Sequence, residues 1–437
     1  MSDHVRAIAE RSKDASRAIA SLPDERKNLA LATMADLLQD RAAAILEANR
    51  QDYALASGLL ASGGISASTL ERLRLTERTL ADMAHSVRAV AALADPVGRV
   101  LARTALDDDL ILEQVTCPLG VLAVIFEARP DAVTQIAALA LKSSNAVILK
   151  PGTEVDRTSS VLVDTLRVAL ARCALPEDIV SLVHGRAAAQ ELLGLTDLVD
   201  LVIPRGSKAL VEYVQSATRI PVLGHSEGVC HVYVDAAADP AMALDIIDDA
   251  KTDYPAACNA VETVLVHEAI ARTFLPQLAS RLRAKGVRLR GCDRTRAILA
   301  NDGVEPVAGA EWHTEYADLV LAIRVVRDVT DAIAHIHRYG SGHTESIVTG
   351  DRPTAERFLT DVDAAGVYHN ASTRFADGYR YGFGAEVGIS TGKLHARGPV
   401  GVDGLTTSKY VLRGHGHVAR AYRGNAGRTF KHERLPL

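Results

Sequence analysis

The chain has 437 residues, with 49 basic and 54 acidic side chains and a formal net charge of −5. At roughly 100–200 residues per domain this allows two to four structural units, and a chain of this length buries a core without disulfide or metal staples. Hydrophobic content of 48% and charged content of 24% exclude disorder, collagen and coiled coil, and the near-neutral balance argues against a dedicated nucleic-acid binder.

No apolar run approaches the roughly 18–20 residues of a membrane span. The Met1–Leu22 stretch mixes charges with alanine and lacks the apolar core of a signal peptide. Five cysteines, Cys117, Cys173, Cys230, Cys258 and Cys292, show no CxxC spacing, which fits a reducing compartment. The expectation is a soluble cytoplasmic protein.

The first ninety-odd residues read as helices. Leu31, Met34, Ala35 and Leu38 share one helical face, and Leu80, Met83, Ala84, Val87, Val90 and Ala91 form a second stripe. From Val121 the pattern changes to short apolar runs alternating with helical stretches. Val121–Ile125, Ala146–Leu149, Ile179–Val183 and Leu198–Ile203 read as strands, separated by helices at Ala132–Leu141, Asp156–Arg172 and Ala187–Leu193. Ser207–Thr218 is a further helix, and His231–Val234 closes the block. A second block follows the helical Ala241–Ala250, with strands at Thr263–Val266, Leu319–Val326 and Ser346–Thr349. Helices at Ala269–Ala284, Thr330–Tyr339 and Thr354–Val362 alternate with them. Such alternation predicts right-handed βαβ units around parallel sheets. Asn370–Thr407 is Gly-rich and polar, and His417–Leu437 reads as a loose basic tail.

A nucleotide site belongs at the carboxyl ends of parallel strands. The GxGxxG fingerprint is absent, and Gly382-Phe-Gly384-Ala-Glu-Val-Gly388 has one residue too many. Lys150 follows a buried strand and suits a ribose or phosphate. Gly206 and Ser207 stand at a strand-to-helix turn where a pyrophosphate can approach backbone N–H groups. A solvated lysine and an ordinary turn fit the same spacing. Among the thiols, Cys258 stands out. Tyr254-Pro-Ala-Ala-Cys258-Asn-Ala is a turn of small residues before a strand, which leaves room for a carbonyl beside the sulfur. Lys393, His395 and Arg397 place three potential cations on alternate residues of a Gly-rich loop. That pattern suits a phosphate or carboxylate, and a solvated basic strand equally. His335, His337, His343, His415 and His417 lack partners at ligand spacing, so no metal is expected.

Several ordered segments resemble the gamma-glutamyl phosphate reductases (glutamate-5-semialdehyde dehydrogenases), a divergent branch of the aldehyde dehydrogenases. They are Pro118-Leu-Gly-Val, Phe126-Glu-Ala-Arg-Pro130, Leu141–Leu149, Asp200–Gly206 and His231–Asp235. Cys258-Asn-Ala-Val-Glu-Thr263, Asn370-Ala-Ser-Thr-Arg-Phe375 and Gly384–Pro399 follow. The resemblance runs to about Gly416.

The resemblance implies an aldehyde dehydrogenase-like α/β fold: a Rossmann-type cofactor domain, an α/β catalytic domain and a small oligomerisation flap. The implied boundaries are 1–235 for the NADP-binding domain with a flap strand at about 100–116 inserted, and 236–398 for the catalytic domain. Residues 399–416 complete the flap and 417–437 form the tail. It implies NADPH-dependent reduction of L-glutamyl 5-phosphate to the semialdehyde through a thioester on Cys258, the second step of proline synthesis. Asn259 is then the candidate for the oxyanion side. Lys150, Gly206, Ser207 and Glu315 are the cofactor candidates, and Lys393, His395, Arg397 and Arg129 those for substrate and phosphate. By alignment His225 replaces the general-base Glu of hydrolytic relatives, which a reductase does not need. A homo-oligomer, dimer or tetramer, is implied, with transient contact to glutamate 5-kinase and no nucleic-acid or membrane partner. Lys150-Pro-Gly departs from the Arg-Gly-Gly common in this branch, which bears on the preference for NADPH. The alternatives are an NAD-dependent hydrolytic aldehyde dehydrogenase and a binding protein that has lost the chemistry.

Overall fold

The computed structural model describes residues 2–61, 65, 67–224, 227–300, 303–424 and 427–437. It divides into two compact units. The first holds residues 1–223, 383–388 and 400–437, and the second 224–382 and 389–399.

The first unit opens with five helices, Ser2–Ile19, Asp24–Asp40, Ala42–Ala61, Ala67–Leu73 and Glu77–Ala91. The stripe of Leu31, Met34, Ala35 and Leu38 is fully buried, as are nearly all of Leu80, Met83, Ala84, Val87 and Val90. Two lysines are buried among these helices and neutralised there. Lys27 pairs with Asp95 at 2.7 Å, and Lys142 with Asp24 at 2.6 Å while also donating to Asn28. Behind them lies a four-stranded parallel sheet ordered Val180–Leu182, Ala146–Pro151, Val121–Phe126, Leu201–Arg205. The two central strands are continuous apolar runs because both faces are covered.

A second sheet in this unit is antiparallel, ordered Thr406–Arg413, Leu110–Pro118, Val100–Asp107, Glu433–Leu435. The last of these strands corrects the expectation of a loose tail. Asp107, buried at the strand end, accepts from Tyr422 Oη at 2.8 Å and pairs with Arg428 at 2.7 Å. Tyr422 stacks on Phe430 with ring centroids 4.3 Å apart, and the Lys431 N–H reaches the Leu106 carbonyl. A charged, polar tail thus closes a sheet edge, which few apolar residues are needed to do.

The second unit is built on a seven-stranded parallel sheet, ordered Val304–Pro306, Arg288–Gly291, Val320–Val326, Val261–His267, Cys230–Val234, Thr344–Val348, Gly366–His369. Phe274, Leu275, Leu278 and Leu282 of the helix Glu268–Arg283 cover one group of its strands, and Ile333, Ile336 and Phe358 pack with Tyr233 and Leu265 in another cluster. The strand at 230–234 lies inside this sheet, so the division between units falls at 223/224 rather than at 235/236. Val400–Leu437 joins the first unit rather than standing apart. His231 ties its strand to the neighbour: its N–H and its Nδ1 both reach Glu345 Oε2, at 2.8 and 2.9 Å. Burial of this pair raises the Glu345 carboxyl above its usual range.

Lys251 and Glu262 form a second buried pair at 2.7 Å. Burial pushes the Glu262 carboxyl up to about 7, with the Lys251 cation pulling it partly back. Its folded value lies above the ordinary 4.5, so its contribution to stability is complete below that pH and is lost as pH rises through about 7. Lys251→Met removes the partner of the charged form. It should cost about 3–5 kcal/mol at pH 8 and clearly less at pH 5, where Glu262 takes a proton, as read from urea melts at both pH values.

Candidate active site

Cys258 lies in the turn that joins the helix Pro240–Thr252 to the strand Val261–His267. The turn closes on itself through the Ala257 N–H to Tyr254 O and the Ala260 N–H to Ala257 O, at 3.1 and 2.9 Å. Its alanines leave Cys258 partly accessible, while Asn259 and Ala260 are buried. The segment before the strand Cys230–Val234 supplies the back wall. A Cβ at Gly228 would stand 2.7 Å from the Cys258 Cα and closer still to its carbonyl, so residue 228 has to be glycine for backbone to meet backbone here. Two residues on, the Cys230 thiol donates to the Cys258 carbonyl at 3.3 Å. Burial pushes that thiol well above its ordinary range and keeps it protonated. Cys230 therefore braces the turn.

The Asn259 amide is engaged within the protein. Its Nδ2 donates to the Ala376 carbonyl at 2.9 Å and its Oδ1 accepts from Arg374. A polar side chain beside Cys258 can face either way, and this one faces the protein. His225, expected at the position of the general base, lies outside the described residues.

The loop after the short strand Ile389–Ser390 brings two of its three cations together. Lys393 and Arg397 both pair with Asp363, the latter at 2.9 Å, and hold its carboxyl below the usual range. Two cations on one carboxylate leave a positive charge for an anion to use. His395 is exposed at φ +63°, a left-handed backbone conformation.

In the first unit, the parallel register sets Ile125 beside Lys150 and Phe126 beside Arg205, so three strand ends meet. Lys150 is half-buried there. Desolvation lowers its pKa, while Glu154, Glu127 and Asp156 oppose that shift. Glu127 accepts from the Ser207 N–H at 2.9 Å, and Glu154 from the Ala128 N–H at 2.7 Å. A Cβ at Gly206 would lie 3.0 Å from the Glu127 carboxyl carbon, so glycine there admits the carboxylate. Ser207 Oγ caps the helix Lys208–Ala217. The Ser207 N–H, expected to meet a pyrophosphate, is thus turned to Glu127. A partly desolvated ammonium beside carboxylates at parallel strand ends fits the hydroxyls and phosphate of a dinucleotide. Arg129 follows in the same strand-to-helix turn. Glu315 belongs to the second unit, beside Glu262, whose carboxyl it helps to raise.

Comparison with known proteins decides the kinship. The aldehyde dehydrogenase family model matches residues 1–290. A gamma-glutamyl phosphate reductase of Synechococcus sp. (strain JA-2-3B'a(2-13)) is 52% identical over 422 residues, 96% of this chain and 92% of that protein. The chain belongs to the aldehyde dehydrogenase family, in its gamma-glutamyl phosphate reductase branch. The crystal structure of the Thermotoga maritima gamma-glutamyl phosphate reductase superposes with a TM-score of 0.91 at 40% identity, covering 95% of this chain and 99% of that one. A glyceraldehyde-3-phosphate dehydrogenase of Methanocaldococcus jannaschii, solved with NADP, shares the fold at 15% identity with a TM-score of 0.68, covering 95% of each chain. The fold is that of the aldehyde dehydrogenases, enzymes that use a nicotinamide cofactor. Glu127, Glu154 and Asp363 had no place among the sequence candidates, although Glu127 stands in the motif Phe126–Pro130. Spacing alone gave no sign that Glu127 and Asp363 face cations from other loops.

Gly228→Ala should displace the Cys258 backbone and lower turnover about a hundredfold or more, because small misplacements of a reacting group are costly. Steady-state kinetics on the folded variant checks this, and wild-type turnover would contradict it.

Proposed function

We propose that this protein reduces L-glutamyl 5-phosphate to L-glutamate 5-semialdehyde and inorganic phosphate, with NADPH, as the second step of proline synthesis from glutamate. The observation that carries the reading is a partly accessible cysteine, Cys258, held between a glycine contact and a buried amide brace. It stands in a chain half-identical to gamma-glutamyl phosphate reductases over nearly its whole length.

The Cys258 thiolate attacks the γ-carbonyl carbon. The bond from that carbon to the phosphate oxygen breaks, phosphate leaves with the electron pair, and a thioester remains on the sulfur. Sulfur serves both as nucleophile and as leaving group, so one difficult substitution becomes two easier steps. When bound, the reduced dinucleotide supplies the hydride that lowers the acyl carbon to the aldehyde level. The sulfur then leaves as the hemithioacetal collapses, and the thiol is restored. Lys150, with Glu127 and Glu154 around it, is the group to hold the dinucleotide's ribose and phosphate. Lys393 and Arg397 are the groups to receive the departing phosphate, with Asp363 keeping them apart from other anions until then. Arg129 and His395 remain candidates for the substrate's charged ends.

The antiparallel sheet of Val100–Asp107, Leu110–Pro118 and Thr406–Arg413 is the surface we assign to homo-oligomerisation, and its exposed Tyr410 and Leu412 support that. The acyl phosphate is labile, which favours a transient contact with the glutamate 5-kinase that makes it. None of the five cysteines is in a disulfide, and among the described residues no helix is long and apolar enough to cross a membrane. Both observations support a place in the cytoplasm.

The test is the reverse reaction, glutamate-5-semialdehyde with NADP, with and without phosphate. The wild type should form NADPH only when phosphate is present, and Cys258→Ala should form none. Activity indifferent to phosphate would assign the protein to hydrolytic aldehyde oxidation.

A further inference from the structure

We infer that Arg374 is a positioning residue for the nucleophile: one buried guanidinium that clamps both ends of the turn carrying Cys258. Arg374 sits in the motif Asn370-Ala-Ser-Thr-Arg-Phe375, to which neither the sequence candidates nor the reaction above gave a role. The inference rests on Cys258 being the reactive thiol.

The side chain is about nine-tenths buried, an unusual place for arginine unless each face is matched. Its Nε donates to Asp253 Oδ2 at 3.1 Å, at the start of the turn. Its Nη1 donates to Asn259 Oδ1, at the end of the turn and next to the sulfur-bearing residue. Its guanidinium carbon stands 6.0 Å from the centroid of the Tyr254 ring. Three contacts therefore fall on residues 253, 254 and 259, and the intervening Pro255-Ala-Ala-Cys258 hangs between them. The planar fork of arginine reaches both anchors at once, which the single ammonium of a lysine cannot do.

The reciprocal contacts lock the clamp in place. The Asn259 amide donates back to the carbonyls of Ala376, at 2.9 Å, and Arg374, at 3.5 Å. Arg380 donates to the Arg374 carbonyl and approaches Asp253 Oδ2 at 3.4 Å. The 3-10 turn Thr373–Phe375, begun by Ser372 whose Oγ accepts from the Arg374 N–H, fixes the guanidinium's approach. On the other side of the turn the Gly228 contact and the Cys230 thiol hold the Cys258 backbone. The turn has no regular secondary structure of its own, so its geometry is set from these two sides. Losing the guanidinium leaves Asn259 Oδ1 and Asp253 without that partner and releases the stretch that aims the sulfur.

The experiment compares Arg374→Ala, Arg374→Lys and Asn259→Ser with wild type. Three readouts apply: steady-state constants in the phosphate-dependent direction, the rate of Cys258 alkylation by iodoacetamide without substrate, and thermal melting. Arg374→Ala should lower kcat about a hundredfold with KM values within about twofold. Its Cys258 alkylation rate should differ from wild type at least about fivefold, and added guanidinium salt should restore part of both. Arg374→Lys and Asn259→Ser, each folded, should fall between, because each keeps one anchor. Wild-type kcat and alkylation in folded Arg374→Lys and Asn259→Ser would overturn the inference. So would losses that follow melting temperature alone and ignore guanidinium, since that is what a merely structural residue would give. Alkylation needs no substrate, so an error in the proposed reaction would leave that readout intact and be told apart.

Discussion

The close approach of Gly228 to Cys258 is the constraint from which the second unit's local geometry follows. Two chains can meet backbone to backbone only where one has no side chain. That meeting places the strand Cys230–Val234 directly beside the strand Val261–His267 and lets the Cys230 thiol reach the Cys258 carbonyl. The buried polar pairs then serve register more than stability. His231 with Glu345 fixes the strand on one side, and Lys251 with Glu262 fixes the helix that leads into the turn. Replacing such pairs by apolar residues in both partners is often neutral, whereas breaking one is costly, so their value here lies in specifying a single alignment.

A second regularity concerns the cations. Several cations near a strand end or the Cys258 turn have carboxylates beside them. Glu127 and Glu154 attend Lys150, Asp363 holds Lys393 and Arg397, and Asp253 holds Arg374 and Arg380. The carboxylates orient the cations before any ligand arrives, which cuts the ordering cost on binding. Where one carboxylate serves two cations, net positive charge remains for an anionic group. Glycines at 152 and 206 make the first of these arrangements possible by leaving room for the glutamates.

Much of the βα alternation was legible in the sequence, because buried parallel strands are continuous apolar runs. The helix Asp156–Arg172 follows from pattern alone, and the strand Val121–Phe126 to within one residue. Sheet membership did not follow. The run at 231–234 looks like the last strand of the first block, yet long-range pairing with Val261–His267 and Thr344–Val348 puts it in the second sheet. Short strands at 288–291, 366–369 and 433–435 carry arginine, glycine or histidine and little apolar signal, and only their neighbours make them strands. Small residues around the thiol made Cys258 the candidate in the sequence. Asn259, Arg374 and Asp363 were not legible, since their meaning depends on partners up to 121 residues away. The resemblance to a known family supplied what spacing could not, the substrate and the reaction class.

The most direct measurement of the central claim is to mix the enzyme with freshly prepared L-glutamyl 5-phosphate in the absence of dinucleotide, then quench and map the adduct by peptide mass spectrometry. The account predicts a burst of phosphate stoichiometric with enzyme and a glutamyl thioester on Cys258, both absent from Cys258→Ala. Phosphate release without an adduct, or an adduct on another residue, would contradict it.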